Sequence, residues 1–232
     1  MLYITGDTHC PIDIAKINSK HFPMQRKLTK DDYLIICGDA GIVWKPGSGE
    51  DRWWQKWFDE KNFTTLFVDG NHENHLALQA YPIEMWNGGK IHRIMPSVIH
   101  LMRGQLYDIG GCRIFTMGGA TSRDRIYRKE GVNWWKEEMS SEEEYQEAVI
   151  NLEHAGWKVD YVITHTAADD IMHKIDPMRQ QDALTDFLFM IEKKLEYKHW
   201  YFGHFHDDRE VDEKHTLLYQ RVVPIQDENE IV

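Results

Sequence analysis

Short apolar runs recur along the chain, and most of them end at a glycine or a histidine. Apolar runs of this length, bounded by turn residues, are typical of buried β-strands, whereas helices need longer segments. The pattern therefore predicts strands that lie in the core. These strands are predicted at Met1–Thr5, Tyr33–Cys37, Thr64–Val68, Tyr161–Thr164 and Trp200–Phe202.

The middle of the chain has a different pattern, in which short strand-like segments are separated by glycine or proline. Gly110-Gly111 stands between the last two of these segments and predicts a two-residue hairpin. A final hairpin is predicted at Glu210–Val223 and a frayed acidic tail at Asp227–Val232. The four central strands are predicted at Ile91–Ile94, Val98–Leu101, Gln105–Ile109 and Arg113–Met117.

One helix is predicted from an aromatic stripe. The segment Glu50–Lys61 follows the breaker Gly47-Ser48-Gly49 and carries tryptophan and phenylalanine at helical spacing. A stripe of this kind faces the core far more often than it binds a ligand, so we expect its four side chains to be buried. They are Trp53, Trp54, Trp57 and Phe58.

Three further helices are predicted from capping residues and breakers. Ser141 and the glutamate three residues later match a capping box, and the helix that follows runs to Ala155. Asp182 is expected to cap a helix that carries apolar residues up to Leu195. The third helix is predicted within Asn71–Ala80.

Strands and helices alternate in the first and last parts of the chain, with the short central strands between them. This order predicts an α/β fold in which two packed sheets are flanked by helices. The sequence shows no internal repeat, low-complexity segment or linker, so we predict one domain over residues 1–232. With 42% apolar residues, a chain of this length can bury the core of such a domain.

The chain is acidic, with a formal net charge of −11. That charge argues against a general nucleic-acid-binding protein, but not against a phosphorylated substrate, because bound divalent ions invert the local potential. No apolar stretch approaches the length of about 18 residues that spans a membrane, and no signal-peptide pattern is present. The three cysteines are widely spaced and include no C-x-x-C pair. We therefore expect a cytoplasmic protein with reduced thiols.

Side chains of metal-ligand type follow five of the predicted strands, and α/β folds place their sites at the carboxyl ends of strands. Nitrogen and oxygen donors without cysteine suit manganese, iron or zinc rather than a soft thiolate site. Asp39 is the natural candidate to bridge two ions, and two ions about 3.5–4 Å apart can clamp a phosphoryl group and generate hydroxide. The candidate residues are Asp7, His9, Asp39, Asn71, His72, His165, His204 and His206.

The order of these residues resembles that of the calcineurin-like metallophosphoesterase superfamily. The matching blocks are Gly-Asp-x-His, Gly-Asp, Gly-Asn-His-Glu, a lone strand-end His and Gly-His-x-His, over residues 6–206. The resemblance implies a four-layer α/β/β/α sandwich of two mixed β-sheets flanked by helices. It also implies two divalent metal ions, with manganese the first expectation and iron, zinc or another ion as alternatives.

The resemblance further implies a role for each candidate residue. His72 would not be a ligand but would face the leaving group as an acid or an electrostatic stabiliser. Asp69 would either hydrogen-bond a histidine or be an ordinary strand-end residue. The eight histidines outside the blocks are expected to be structural or surface residues. One metal ion would be held by Asp7, His9, Asp39 and His206, and the other by Asp39, Asn71, His165 and His204.

One block departs from the pattern of the protein phosphatases in this superfamily. Those enzymes follow the second Gly-Asp with Asp-Arg-Gly, whereas Gly38-Asp39 is followed by Ala40-Gly41. The missing arginine argues against protein-phosphatase activity. The chain looks closer to the small bacterial or phage-type members, which its loop Thr121–Trp135 also resembles. Three arginines in that loop either clamp a substrate phosphate or form a solvated surface. They are Arg123, Arg125 and Arg128.

The function predicted on this basis is hydrolysis of a phosphodiester or phosphomonoester by a metal-bridging hydroxide. The alternative is a catalytically silent binding or scaffold module with the same fold, although such a protein would usually have lost ligands. The expected partner is a small phosphorylated substrate, and nucleic acid is expected only as a nucleotide-type substrate. The natural substrate, the preference for monoester or diester and the oligomeric state are left open.

Overall fold

The computed structural model describes residues 1–225, which form thirteen strands and five α-helices. The predicted tail Asp227–Val232 lies outside these residues. The strands are β1 (Leu2–Thr5), β2 (Tyr33–Ile36), β3 (Thr64–Phe67), β4 (Ile83–Trp86), β5 (Gly89–Met95), β6 (Val98–Leu101), β7 (Gln105–Ile109), β8 (Cys112–Met117), β9 (Tyr161–Thr164), β10 (His199–Phe202), β11 (Arg209–Glu210), β12 (His215–Leu217) and β13 (Val222–Pro224).

The strands form two mixed sheets. The first has seven strands in the order β13-β1-β2-β3-β6-β5-β4, and the second has six in the order β11-β12-β10-β9-β8-β7. In the first sheet β1, β2 and β3 are parallel neighbours, with Ile4 opposite Ile35 and Ile35 opposite Leu66. In the second sheet β8, β9 and β10 are also parallel. Each sheet therefore has one edge at which the carboxyl ends of several strands meet.

The apolar side chains divide the molecule into layers. Ile35 lies in the cluster between the two sheets, together with Ile163 of β9. Its neighbours Leu34 and Ile36 point to the opposite face, where they pack with Phe58. This alternation follows from the two-residue period of a strand, so strands covered on both faces are apolar throughout. The predicted α/β fold of two mixed sheets flanked by helices is confirmed.

The helices cover the outer faces of the sheets. Those after β2 and β3 pack on the first sheet, and the three later helices pack on the second. The capping box at Ser141 is present, and Asp182 caps the last helix as predicted. No helix among residues 1–225 is both long enough and apolar enough to cross a bilayer. The helices are α1 (Gly49–Asp59), α2 (His75–Gln79), α3 (Glu142–His154), α4 (Asp169–Ile175) and α5 (Ala183–Lys194).

The prediction that the aromatic stripe of α1 is buried was wrong for the tryptophans. Phe58 is fully buried, but Trp53 is 56% exposed and Trp54 and Trp57 are half-buried. The stripe is wide because adjacent residues on a helix point about 100° apart. Phe58 and the partly buried Trp57 pack on the outer face of the first sheet, while Trp54 lines a cavity at the strand ends.

Two other predictions differ from the structure, and two elements were not predicted. The helix predicted within Asn71–Ala80 begins only at His75, because Asn74 is its N-cap. In the predicted final hairpin, β11 pairs with β12, but β13 crosses to the first sheet and pairs with β1. Strand β4 and helix α4 were not predicted at all. Strand β4 pairs with β5 across the two-residue turn Asn87-Gly88, a hairpin signal that sequence reasoning missed. Helix α4 is short and forms by packing on the second sheet.

Asp69 is the centre of a buried polar network rather than an ordinary strand-end residue. Nε of Arg103 donates to its Oδ2 at 2.9 Å, and Nε2 of His100 lies 3.2 Å from its Oδ1. Its backbone carbonyl accepts the N–H of Gly119, which follows β8 of the other sheet. The guanidinium of Arg103 also holds the pKa of Asp69 well below its ordinary value, against the effect of burial. The network therefore ties the ends of the two sheets together.

Replacing Arg103 by methionine tests the importance of this network. Arg103 and Asp69 are both buried, so Arg103→Met leaves an uncompensated charge in the core. We expect a loss of about 3–5 kcal/mol in the free energy of unfolding, measured by urea denaturation. The control is Arg93→Met, which removes the partly exposed pair with Glu84 and should cost about 0–1 kcal/mol. Equal losses in the two variants would contradict this account.

Candidate metal centre

The candidate ligands converge where the carboxyl ends of the two sets of parallel strands meet. Asp7, Asp39 and Asn71 follow β1, β2 and β3, while His165 and His204 follow β9 and β10 of the other sheet. Sheet packing thus assembles side chains that are far apart in the sequence. Asp7, Asp39, Asn71 and His165 are buried, whereas the His206 side chain is 50% exposed at the edge of the cluster.

Asp39 lies at the centre of the cluster. Its Oδ2 is 3.2 Å from Nε2 of His9 and 3.4 Å from Nε2 of His165. Its Oδ1 accepts the backbone N–H of His72 at 2.7 Å. One carboxylate oxygen therefore contacts imidazoles that come from both sheets.

Asp7 is the second buried carboxylate. Its Oδ1 accepts the backbone N–H of His204 at 3.0 Å, and its Oδ2 is 3.2 Å from Nε2 of His206. Its Oδ1 also lies 3.9 Å from Nδ1 of His165. Asp7 therefore lies near Nδ1 of His165, and Asp39 lies near its Nε2. Asp7 also contacts His206, and Asp39 also contacts His9.

The backbone at the site is held in an unusual conformation. His9, Asp39, His204 and His206 have positive φ angles of 35°, 47°, 70° and 51°. Residues other than glycine adopt such angles only at a cost, and positions of this kind cluster at functional sites. The strand ends turn sharply at these residues, which directs their side chains into one small volume.

Two strand-end glycines leave room for the carboxylates. A Cβ atom on Gly70 would overlap Oδ1 and the backbone nitrogen of Asp39. A Cβ atom on Gly203 would overlap Oδ1 of Asp7. Gly70, which precedes Asn71, therefore makes space for Asp39. Gly203, which precedes His204, makes space for Asp7.

Three side chains are oriented by partners that sequence reasoning did not find. Nδ1 of His9 lies 2.8 Å from Oδ2 of Asp13. The amide of Asn71 donates to Oγ of Ser122 at 3.1 Å, so its oxygen points towards His165. Such contacts fix the direction in which a ligand presents its donor atom. No sequence pattern signals them, because they depend on how the loops pack.

His165 is oriented by a backbone partner. Its Nδ1 donates to the carbonyl of Cys37 at 2.7 Å, so Nε2 is the nitrogen that presents a lone pair once the ring is neutral. That nitrogen lies 3.1 Å from Oδ1 of Asn71 and 3.4 Å from Oδ2 of Asp39. A nitrogen lone pair beside two oxygen donors is a suitable set for a divalent ion.

The electrostatics of the cluster favour positive charge. Burial lowers the pKa of His9, but the hydrogen bond and charge of Asp39 outweigh it and raise that pKa to about 9. Burial is likewise outweighed by Asp39 at His165, where the pKa is also raised to about 9. Burial lowers the pKa of His204 well below its ordinary value, with His165 and Arg179 adding to the effect. A divalent cation bound here would balance the negative charge of the carboxylates, as the protons on His9 and His165 do in the metal-free protein.

Among residues 1–225, three groups of donor atoms are each compact enough to hold a metal ion. The donor atoms within each group lie within 4.8 Å of one another. His204 is outside these groups, and its Nε2 contacts Arg179 instead. The donors are nitrogen and oxygen, which fits ions such as Mn²⁺, Fe²⁺ or Zn²⁺. The groups are Asp7 with His9 and His206, His9 with Asp39 and His72, and Asp7 with Asp39 and His165.

The three loop arginines have different positions. Arg123 lines a cavity of about 520 Å³ together with Asn71, His72 and His204. Arg125 lines a neighbouring cavity. Arg128 donates to Nδ1 of His72 at 2.9 Å and forms an ion pair with Asp124, so it supports His72.

Arg179 also lines the 520 Å³ cavity, and sequence reasoning missed it. It lies in the loop after α4, a helix that was itself not predicted.

A comparison with protein families decides the classification. The family model described as calcineurin-like phosphoesterase matches residues 2–208. The chain belongs to the calcineurin-like phosphoesterase family. No curated protein matches the sequence. Membership of the calcineurin-like phosphoesterases and the buried Asp/His cluster together indicate a metal-dependent phosphoesterase that uses divalent ions.

Enlarging Gly70 tests the space beside Asp39. We expect Gly70→Ala to lower the affinity for Mn²⁺ by at least about tenfold and to cost about 1–3 kcal/mol of stability, because the new methyl group overlaps Asp39. Metal content per chain and thermal unfolding measure the two effects. The matched control is Gly49→Ala, since the nearest atom to its Cβ would be Nη2 of Arg52 at 4.0 Å. Unchanged metal binding in Gly70→Ala would refute the assignment.

The raised histidine pKa values predict a proton release. At pH 7 the rings of His9 and His165, with pKa values of about 9, are protonated in the metal-free protein. Because ligation requires neutral imidazole, Mn²⁺ binding should release these protons and should tighten as the pH rises from 7 to 9.

Calorimetry in buffers of different ionisation enthalpy measures this release. We expect His9→Gln to remove about one proton from the count, since it deletes one of the two protonated rings. Replacing the exposed His154 by glutamine should leave the count unchanged. Binding heats that do not depend on the buffer would contradict the prediction.

Proposed function

We propose that the protein hydrolyses phosphate monoesters or diesters with two divalent metal ions, of which manganese is the first expectation. The proposal rests on one observation. The buried carboxylates of Asp7 and Asp39 lie within 4.0 Å of imidazoles that come from both sheets. The substrate would be a small phosphorylated molecule.

Two sets of side chains are suited to hold two ions, and Asp39 belongs to both. Its Oδ2 lies close to His9 of the first set and to His165 of the second. When bound, the ions would supply Lewis acidity towards the phosphate oxygens and a hydroxide held between them as the nucleophile. The first set would be Asp7, His9, Asp39 and His206, and the second Asp39, Asn71, His165 and His204.

His72 is suited to stabilise the leaving oxygen as a neutral hydrogen-bond donor. Burial, reinforced by the charge of Arg128, lowers its pKa against the opposing charge of Asp39. The Arg128 guanidinium lies closer to Nδ1 of His72, at 2.9 Å, than to Nε2, at 3.3 Å, which favours a ring proton on Nε2. A neutral imidazole of this kind can stabilise the negative charge that develops on the departing oxygen.

Arginines supply the positive charge that an anionic substrate requires. Arg123 and Arg179 line the 520 Å³ cavity beside Asn71 and His72. A guanidinium group matches the geometry of two phosphate oxygens. We therefore propose that Arg123 and Arg179 bind the phosphate group of the substrate or the group bonded to the phosphate on the side away from the leaving oxygen. Arg125 is placed to extend this positive surface.

Substitutions at His72 and Asp39 test the proposal with Mn²⁺-loaded protein. Substrates are p-nitrophenyl phosphate and bis(p-nitrophenyl) phosphate, which also distinguish monoesterase from diesterase activity. We expect His72→Asn to lower kcat by roughly 10²–10³-fold, the range for loss of one hydrogen-bond donor to a developing negative charge. Asp39→Asn should lose both bound metal and activity, because it removes charge that both sets share.

Matched controls separate these effects from general damage. His154→Asn and Asp31→Asn change the same residue types at exposed positions, so kcat should be unchanged. Full turnover by His72→Asn or Asp39→Asn at saturating Mn²⁺ would overturn the proposal. Two bound ions per chain without hydrolysis of either substrate would favour the scaffold alternative.

A further inference from the structure

A second cavity, of about 330 Å³, opens beside the metal centre on the side away from the arginines. His9 and His72 form the wall that it shares with the metal centre. Trp44 and Trp54 form its aromatic wall, and Ile12 also lines it. Pockets of this size, lined by aromatic side chains and open to a reactive centre, are typical of small-molecule sites.

The tryptophan wall is fixed by buried polar contacts. Asp51 is buried, and its Oδ2 accepts the backbone N–H groups of Trp44 at 3.0 Å and Lys45 at 2.8 Å. The side-chain amide of Asn74 donates to the carbonyl of Trp44 at 2.8 Å. The ring of Trp44 also packs edge-on against the buried Trp135, with ring centroids 5.3 Å apart. The wall therefore needs little rearrangement to receive a ligand.

The two cavities beside His72 differ in their lining. The 520 Å³ cavity carries three arginines, Arg123, Arg179 and Arg209, among four aspartates. The 330 Å³ cavity carries Lys45, Glu50 and Asp51 and, among the residues that the structure describes, no arginine. Guanidinium groups are suited to bind an anionic group in the first cavity. The tryptophan rings of the second cavity suit an uncharged apolar group bonded to the ester oxygen.

We propose that the substrate carries a planar aromatic group, an aryl ring or a nucleobase, which binds in the cavity of Trp44 and Trp54. This inference rests on the proposed function, because the phosphate group must lie at the metal centre for its substituent to reach the cavity. Aromatic side chains bind planar rings through their faces and edges. His72 lines both cavities, so the ester oxygen would lie between them.

The test compares naphthyl and butyl esters, of whichever ester class the protein hydrolyses. Trp54→Ala should lower kcat/KM for the naphthyl ester at least about tenfold, equivalent to about 1.4 kcal/mol. The butyl ester should change less than about twofold, because an alkyl chain gains little from an aromatic wall. Trp54→Phe, which keeps a ring, should restore most of the naphthyl activity.

The matched control is Trp53→Ala. Trp53 is the neighbouring, more exposed tryptophan of the same helix, and it does not line the cavity. Its ring packs edge-on against that of Trp54, with centroids 4.4 Å apart, but adds no surface to the cavity. Its loss should therefore affect both esters equally and less than Trp54→Ala affects the naphthyl ester. Equal effects of Trp54→Ala on both esters, or no effect on either, would overturn the aromatic site. Turnover of the esters by the unchanged protein would still support the proposed function.

Binding of naphthylphosphonate, which has no ester bond, separates the two proposals. Titration into the Mn²⁺-loaded protein should give affinity that falls about tenfold in Trp54→Ala and is retained in Trp53→Ala. If this result is obtained without turnover of any ester, the aromatic site stands and the proposed function fails. Affinity that is the same in all three proteins would overturn the aromatic site.

Discussion

The rest of the site depends on the buried carboxylate of Asp39. It lies where the two sheets meet, and its side chain contacts His9, His165 and the backbone of His72. Its own carbonyl accepts the backbone N–H of His9, which ties the ends of the first two strands together. A buried charge is unfavourable unless opposite charge lies beside it. That requirement explains why imidazoles from both sheets converge here, and why a cation suits the same place.

The crowding around Asp39 and Asp7 also accounts for the local backbone. Carboxylates can approach this closely only if the opposing strand ends carry no Cβ atom, as at Gly70 and Gly203. The chain must then turn sharply, and Asp39 itself has a φ of 47°. The strain is maintained because the parallel strands on either side fix where the chain enters and leaves. The close packing of the strand ends therefore also determines the geometry of the site.

The dependence of the site on how the sheets and loops pack also explains which parts of the structure could be predicted from the sequence. Asp7 and His165 follow their strands directly, so local pattern was sufficient to find them. The residues that orient the ligands were not found, since Ser122 is 51 positions from Asn71 and Arg179 is 25 positions from His204. Helical periodicity placed Trp54 on the aromatic stripe of α1. It could not show that a cavity, rather than the core, lies along that edge.

The position of His72 between the two cavities limits what the site can accept. The chain has a formal net charge of −11, so a long polyanion would be repelled over most of the surface. On one side of His72, arginines can donate hydrogen bonds to a phosphate group, with aspartates lying among them. On the other side, the tryptophan rings favour an apolar group. A small ester that is charged at one end and apolar at the other matches both sides, and its orientation would bring the ester oxygen to His72.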